Sequence, residues 1–164
     1  MLRDQNLVPL SRQHQHALAL CVRINRASLS SPREIAAWQS EIQEHFEQEI
    51  QYHFNAEENG LFPAAHRIPE LRSLVERLLA EHSELRSYFA RAKQRVLDRN
   101  TLRQFADLLS GHIRKEEGNL FEEMQKNMTP EQLQNIGRNV AETLASAPQA
   151  CIVPAEKTLI DPNT

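Results

Sequence analysis

The sequence predicts an all-α protein, an up-down-up-down four-helix bundle followed by an extra C-terminal helix and a tail. Three observations carry this. The 164-residue chain has only 4 glycines, and its 8 prolines fall mostly at segment edges. The alternation of Val, Ile, Tyr and Thr that marks strands is absent, whereas apolar residues recur at steps of three and four. The links between the first four apolar-periodic segments are short, and short links force neighbouring helices to run antiparallel.

The first helix is expected from about Leu10 to Ala27. The second starts at Ser31-Pro32-Arg33-Glu34, a capping box with proline in the first helical position, and runs to about Asn59, stopping at Gly60 and Pro63. The third runs from Pro69-Glu70 to about Asp98. The fourth begins at Asn100 or Thr101, with Thr101 and Gln104 as its capping box, and ends near Lys126. A fifth starts at Thr129-Pro130-Glu131-Gln132 and fades near Ala145; it caps or crosses the bundle, or serves a homodimer contact. Residues 1–126 therefore form the bundle, and residues 127–164 a C-terminal helix and extended tail containing Pro148, Pro154 and Pro162.

Composition narrows the function classes. Charged residues make up 25% and hydrophobic residues 40%, with a net charge of −3 and both signs interspersed. That leaves no basic footprint for nucleic acid or an anionic membrane. The N-terminal MLRDQNLVPLSRQHQ lacks an apolar leader core, and no run of about 18 apolar residues occurs. The 2 cysteines, Cys21 and Cys151, form neither a disulfide framework nor a CxxC knuckle. A cytoplasmic setting with free thiols is the expectation.

The informative feature is ionisable residues on apolar stripes. In the first helix Leu7, Leu10, Ala17, Leu18 and Cys21 share a face with His14. In the second, Ile42, Phe46 and Ile50 lead to His53 and Glu57. In the third, Leu71, Leu74, Val75, Leu78, Leu79, Leu85 and Phe89 share a face with His82. In the fourth, Leu102, Phe105, Leu108, Leu109 and Ile113 accompany His112 and, four residues on, Glu116. "HFNAEENGLF" (53–62) and "HIRKEEGNLF" (112–121) repeat one pattern: His, three residues, Glu-Glu, two residues, Leu-Phe. An unpaired buried carboxylate costs several kcal/mol or takes up a proton. A metal ion removes that objection, because it compensates imidazoles and carboxylates together. The nitrogen and oxygen set suits iron, manganese or zinc, and Glu57 and Glu116 are placed to bridge two ions about 3.5–4 Å apart.

The stretches "LSRQHQHAL" (10–18), "HFNAEENGLFP" (53–63), "LLAEHSELR" (78–86) and "HIRKEEGNLF" (112–121) resemble the hemerythrin-like, HHE cation-binding family over about residues 7–125. That resemblance implies a four-helix bundle around a two-iron centre bridged by oxygen and carboxylates. Its implied ligands here are His14, His53, Glu57, His82, His112 and Glu116. In the oxygen-carrying members the third helix supplies two histidines four apart, but Leu78 and Arg86 flank His82 in this chain. Those members also place an acidic residue five after the last histidine. Glu116 at four is preferred here over Glu117 at five because it repeats the His53–Glu57 spacing.

Other residues are given bland readings. His16 and His45 are expected at the surface and His66 in a solvated loop. Glu58 and Glu117 are expected to face away from the site, and Glu49 and Glu81 are reserve ligands or hydrogen-bond acceptors. Trp38, Phe46, Phe54, Phe62, Phe89, Phe105 and Phe121 are expected to pack around the site and keep it dry. Arg67, Arg72, Arg77, Arg86, Arg91 and Arg95 are expected to form a solvated face.

The functional expectation is a non-haem diiron protein that binds or senses dioxygen, nitric oxide or peroxide, or handles iron, rather than a bulk oxygen carrier. The competing class is an enzyme of nitrosative or oxidative stress that reduces nitric oxide or peroxide or repairs iron centres. Relatives of that kind usually carry an N-terminal cysteine segment, and no cysteine precedes the first helix here. A third class is a structural bundle holding zinc or no metal.

Overall fold

The computed structural model describes residues 2–147, so the predicted tail and Cys151 lie outside the described residues. Five helices and no strand occur among the described residues. They are α1 (Val8–Arg26), α2 (32–65), α3 (69–93), α4 (99–127) and α5 (Pro130–Leu144). Helix α1 packs along α4, and α3 contacts both α2 and α4, which closes a helical bundle; α5 lies against the second half of α2.

The helix ends follow from local chemistry, with three departures from expectation. Helix α2 passes straight through Gly60 and Pro63. A wide π turn over Glu57–Leu61 absorbs Gly60, and Pro63 falls in the first turn after it, where a proline lacking its N–H does no damage. Helix α4 starts at Arg99, capped by Asp98 rather than by a Thr101–Gln104 box. The Thr101 N–H donates to Asp98 Oδ1 at 2.8 Å, and the Asp98 N–H donates to Thr101 Oγ1 at 2.8 Å. Asp98→Ala removes this helix cap. In a domain of this size that lowers the melting temperature by about 2–4 °C, measurable by circular dichroism; an unchanged melting temperature would show the cap to be idle. Helix α3 ends at Lys93, short of Asp98, because Arg95 takes φ 61 and the Val96 N–H folds back onto the Arg91 carbonyl.

Two capping expectations match the structure more closely. Ser31 Oγ accepts from the Glu34 N–H, while the Glu34 carboxylate accepts from the N–H of Ser30 rather than Ser31. Thr129 and Gln132 cap α5 reciprocally.

The core is two apolar clusters with a polar layer between them. One holds Leu20, Ile24, Ile42, Phe54, Leu85, Phe89, Phe105 and Leu109. The other holds Leu10, Leu61, Phe62, Leu78, Leu120, Phe121 and Met124, and α5 adds Ile136 and Val140 to it. On every bundle helix the in-facing histidine comes between residues of the two clusters. Leu79, assigned to the α3 stripe, is 41% exposed; a step of about 100° from the fully buried Leu78 carries it off the face.

Candidate metal centre

The structure brings the six ionisable residues of the stripes together in that polar layer. His14, His53, His82 and His112 are at most 5% exposed, and Glu57 and Glu116 are 0% exposed. They fall into two sets of four, each with its ligating atoms within 4.8 Å of one another: His14, His53, Glu57 and Glu116, and His82, His112, Glu57 and Glu116. Both carboxylates belong to both sets. Glu57 Oε1 lies 3.1 Å from His53 Nε2 and 3.7 Å from His14 Nε2, while its Oε2 lies 3.3 Å from His82 Nε2. Glu116 Oε2 lies 3.1 Å from His14 Nε2, and its Oε1 lies 3.1 Å from His112 Nε2. Within each set the imidazoles meet Nε2 to Nε2, at 3.0 Å for His14 and His53 and 3.1 Å for His82 and His112.

Each glutamate opens a π turn. The Phe62 N–H donates to the Glu57 carbonyl and the Phe121 N–H to the Glu116 carbonyl, both spanning five residues instead of four. A wider turn rotates successive residues by less than the α-helical step of about 100°, so both members of each Glu-Glu pair stay on the bundle side. This corrects the expectation for Glu58 and Glu117. Neither faces away: Glu58 Oε1 is 2.7 Å from His82 Nδ1, and Glu117 Oε1 is 2.6 Å from His14 Nδ1.

The same role falls to two further residues. Glu81, a reserve candidate, accepts from His112 Nδ1 at 3.0 Å. Gln13, to which the sequence pattern gives no role, accepts from His53 Nδ1 through Oε1 at 2.8 Å. The one signal for it is that Gln13 immediately precedes His14 on α1. Glu49 lies outside both sets and pairs with the exposed His16, 3.0 Å from its Nδ1. His66 is exposed, as expected. His45 is not at the surface. It is half-buried, its Nδ1 has no hydrogen-bond partner among the described residues, and burial holds it below the usual imidazole range against the pull of Glu41 and Glu49.

The aromatic residues divide. Phe54 stacks on His82 with ring centroids 3.8 Å apart, Phe62 approaches the same ring at 5.2 Å, and Phe121 stacks on His14 at 5.7 Å. Phe89 and Phe105 pack against each other deeper in the first cluster, Phe46 stacks on Phe89, and Trp38 is half-buried under the Arg23 guanidinium. Among the described aromatic residues only the first three therefore pack on the rings of His14 and His82. Arg86 is not a free member of a solvated face, because it donates to Glu58 Oε1 at 2.6 Å.

The electrostatics are those of a site waiting for positive charge. Burial opposes ionisation of Glu57, but His53, His14 and His82 outweigh it and hold the carboxyl well below the usual range. Burial and the nearby Glu57 push Glu116 up, and His112 and His14 bring it below its usual value. Burial pushes His14 down, yet Glu116, Glu117 and Glu57 raise it well above the ordinary imidazole value. His82 is raised against burial by Glu57 and Glu58, and His112 is raised to about 9 by Glu116, Glu81 and Glu57. The outer Glu58, Glu81 and Glu117 resist burial through their histidine and cation partners and sit at about 2. Being ionised, they can only accept, so each holds a proton of its histidine on Nδ1 and, when the ring is neutral, leaves the Nε2 lone pair for a cation.

The chain matches the hemerythrin HHE cation binding domain over residues 8–124. It belongs to that family. Comparison with curated proteins and with solved structures gave no match.

The hemerythrin-family centre can be tested against the donor set itself. All four oxygens of Glu57 and Glu116 are buried with no hydrogen-bond partner among the described residues. Facing imidazole lone pairs 3.0 and 3.1 Å apart repel unless a cation or proton lies between them. Carboxylates and imidazole nitrogens converging in a buried layer fit a metal ion. The outer acceptors should matter accordingly. Glu117→Ala is expected to weaken metal binding about 10–100-fold, measured by competition with a chromogenic chelator; unchanged affinity would remove Glu117 from the site.

Proposed function

We propose that this hemerythrin-family protein is a non-haem diiron protein that binds or senses a small diatomic molecule or peroxide. The observation that carries the reading is the pair of four-ligand sets sharing Glu57 and Glu116, each with two imidazole nitrogens and two carboxylate oxygens. Two carboxylates with one oxygen toward each set suit two adjacent ions rather than one. The mixed nitrogen and oxygen set suits iron, with manganese and zinc as competitors.

Four protein ligands would leave an iron ion with open positions. Helix α3 supplies only His82; Leu78 is buried in the apolar cluster and Arg86 is engaged with Glu58. When bound, two irons supply electrons and open positions to a small ligand. The protein's part is to orient four imidazoles through Nδ1, hold both carboxylates ionised and exclude water with Phe54, Phe62 and Phe121. The cavity against the site measures only about 10 Å³, which favours a small ligand over a bulky substrate.

The test is metal content together with the absorption spectrum of the freshly isolated protein. Two irons per chain and a charge-transfer spectrum that responds when dioxygen, peroxide or nitric oxide meets the reduced protein are expected. A colourless protein holding zinc and indifferent to all three ligands would overturn the reading. Reversible binding without consumption indicates a carrier or sensor, and turnover indicates an enzyme.

A further inference from the structure

The outer acceptors do not treat the two metal positions alike. On the His82/His112 side both imidazoles donate Nδ1–H to carboxylates, Glu58 and Glu81. Each of those carboxylates is itself anchored, by Arg86 at 2.6 Å and by Lys115 at 2.7 Å. On the His14/His53 side, His14 has Glu117, anchored by Arg3 at 2.8 Å. His53 has only Gln13 Oε1, a neutral amide oxygen. A carboxylate acceptor increases imidazole basicity and tightens the metal bond; an amide oxygen does so less. One position therefore has two carboxylate-backed ligands and the other has one.

A separate observation singles out the same side. The cavity of about 10 Å³ touches both imidazoles of the His14/His53 position and only His112 of the other, and Gln13 and Glu49 also line it. Gln13 and Glu49 are the partly exposed members of that lining, the other residues being buried. The weaker ligand set and the cavity coincide.

On the reading that the centre holds two irons, we propose that the His14/His53 position is the exchangeable one, and that Gln13 is the positioning residue that sets its lability. Metal enters and leaves past Gln13 and Glu49, so this position fills last and empties first.

The test uses the full chain loaded anaerobically with ferrous iron and mixed with excess chromogenic ferrous chelator. Release is expected in two phases of equal amplitude. Gln13→Glu should slow the fast phase about tenfold, and Gln13→Leu, which removes the acceptor, should speed it, both leaving the slow phase unchanged. Glu81→Gln should speed the slow phase alone. Opposite effects from two substitutions at one position separate an electronic role from loosened packing, which would speed release in both. A single phase in the unaltered protein, or both Gln13 variants shifting the same way, overturns the inference while leaving the two-iron reading in place. A chain that holds fewer than two irons before chelator is added overturns the two-iron reading itself.

Discussion

Glu57→Ala should empty both metal positions at once. Its two oxygens face different imidazole sets, 3.1 Å from His53 on one side and 3.3 Å from His82 on the other, so one truncation removes a ligand from each ion. Loss of a partner outside the ligand set already weakens binding about 10–100-fold, so loss of a shared ligand should exceed the upper figure. After desalting, the variant is expected to keep less than about a tenth of the metal of the parent, read by elemental analysis. His53→Ala and His112→Ala should each weaken one position first, giving an intermediate stoichiometry near one ion under the same conditions. The apolar clusters on either side of the layer contain none of these residues, so the variants should still fold, with an unchanged helical circular dichroism spectrum as the control. Glu57→Ala with two tightly held ions would show that the carboxylate does not bridge, and either histidine variant with full metal content would sink the ligand assignment.

Metal removal should reverse the pH dependence of stability. In the metal-free protein, protons stand in for the ions. His112 is raised from 6.5 to about 9, and His14 and His82 are raised as well. A raised imidazole contributes stability that is fully present below pH 6.5 and is lost as pH climbs toward 9. Glu57 and Glu116 are depressed below 4.5, so their contribution is present above that pH and is lost as pH falls through their lowered values. The metal-free protein should therefore be most stable between pH 4.5 and 6.5 and melt at a lower temperature at pH 9.

The metal-bound protein should do the opposite over the upper window, because ligation needs the imidazoles deprotonated and competition from protons fades as pH rises. With free metal at about a thousand times its dissociation constant, binding adds about 4 kcal/mol. In a chain of this size that separates the two melting temperatures by about 10 °C. The gap should widen from pH 6.5 to 9, as differential scanning fluorimetry with and without chelator would show. A metal-free melting temperature that rises across this window would refute the proton-for-metal exchange.

Both results rest on residues legible in the amino-acid sequence. His14, His53, His82 and His112 stand out because an imidazole at an apolar step of three or four is a local signal, and Glu57 and Glu116 stand out because the motif is written twice. The outer acceptors are only partly legible there. An α-helical projection turns Glu58 and Glu117 outward, and the π turns that keep them inward are visible only in the backbone. Gln13 carries no charge and sits beside a stronger landmark, so nothing in its type announces a role. Asp98 does not stand out as a cap when the preceding helix is extended through it, whereas the left-handed Arg95 ends that helix at Lys93. In each case a long-range or backbone effect overrides a spacing rule.

The wide turn at Glu116–Leu120 has an evolutionary consequence. Deleting one residue from a helix ordinarily spins everything beyond it by about 100° and ruins the packing. A π turn already carries one residue more than the α-helix needs, so removing it lets the flanking segments keep their phase. Gly118, whose added Cβ would meet nothing within 4 Å, is such a spare residue. Its deletion should leave Leu120, Phe121 and Met124 in the core while swinging Glu117 away from His14. Length variation at this point should thus spare the architecture while detaching Glu117 from His14, so one codon could loosen the site without rebuilding the bundle.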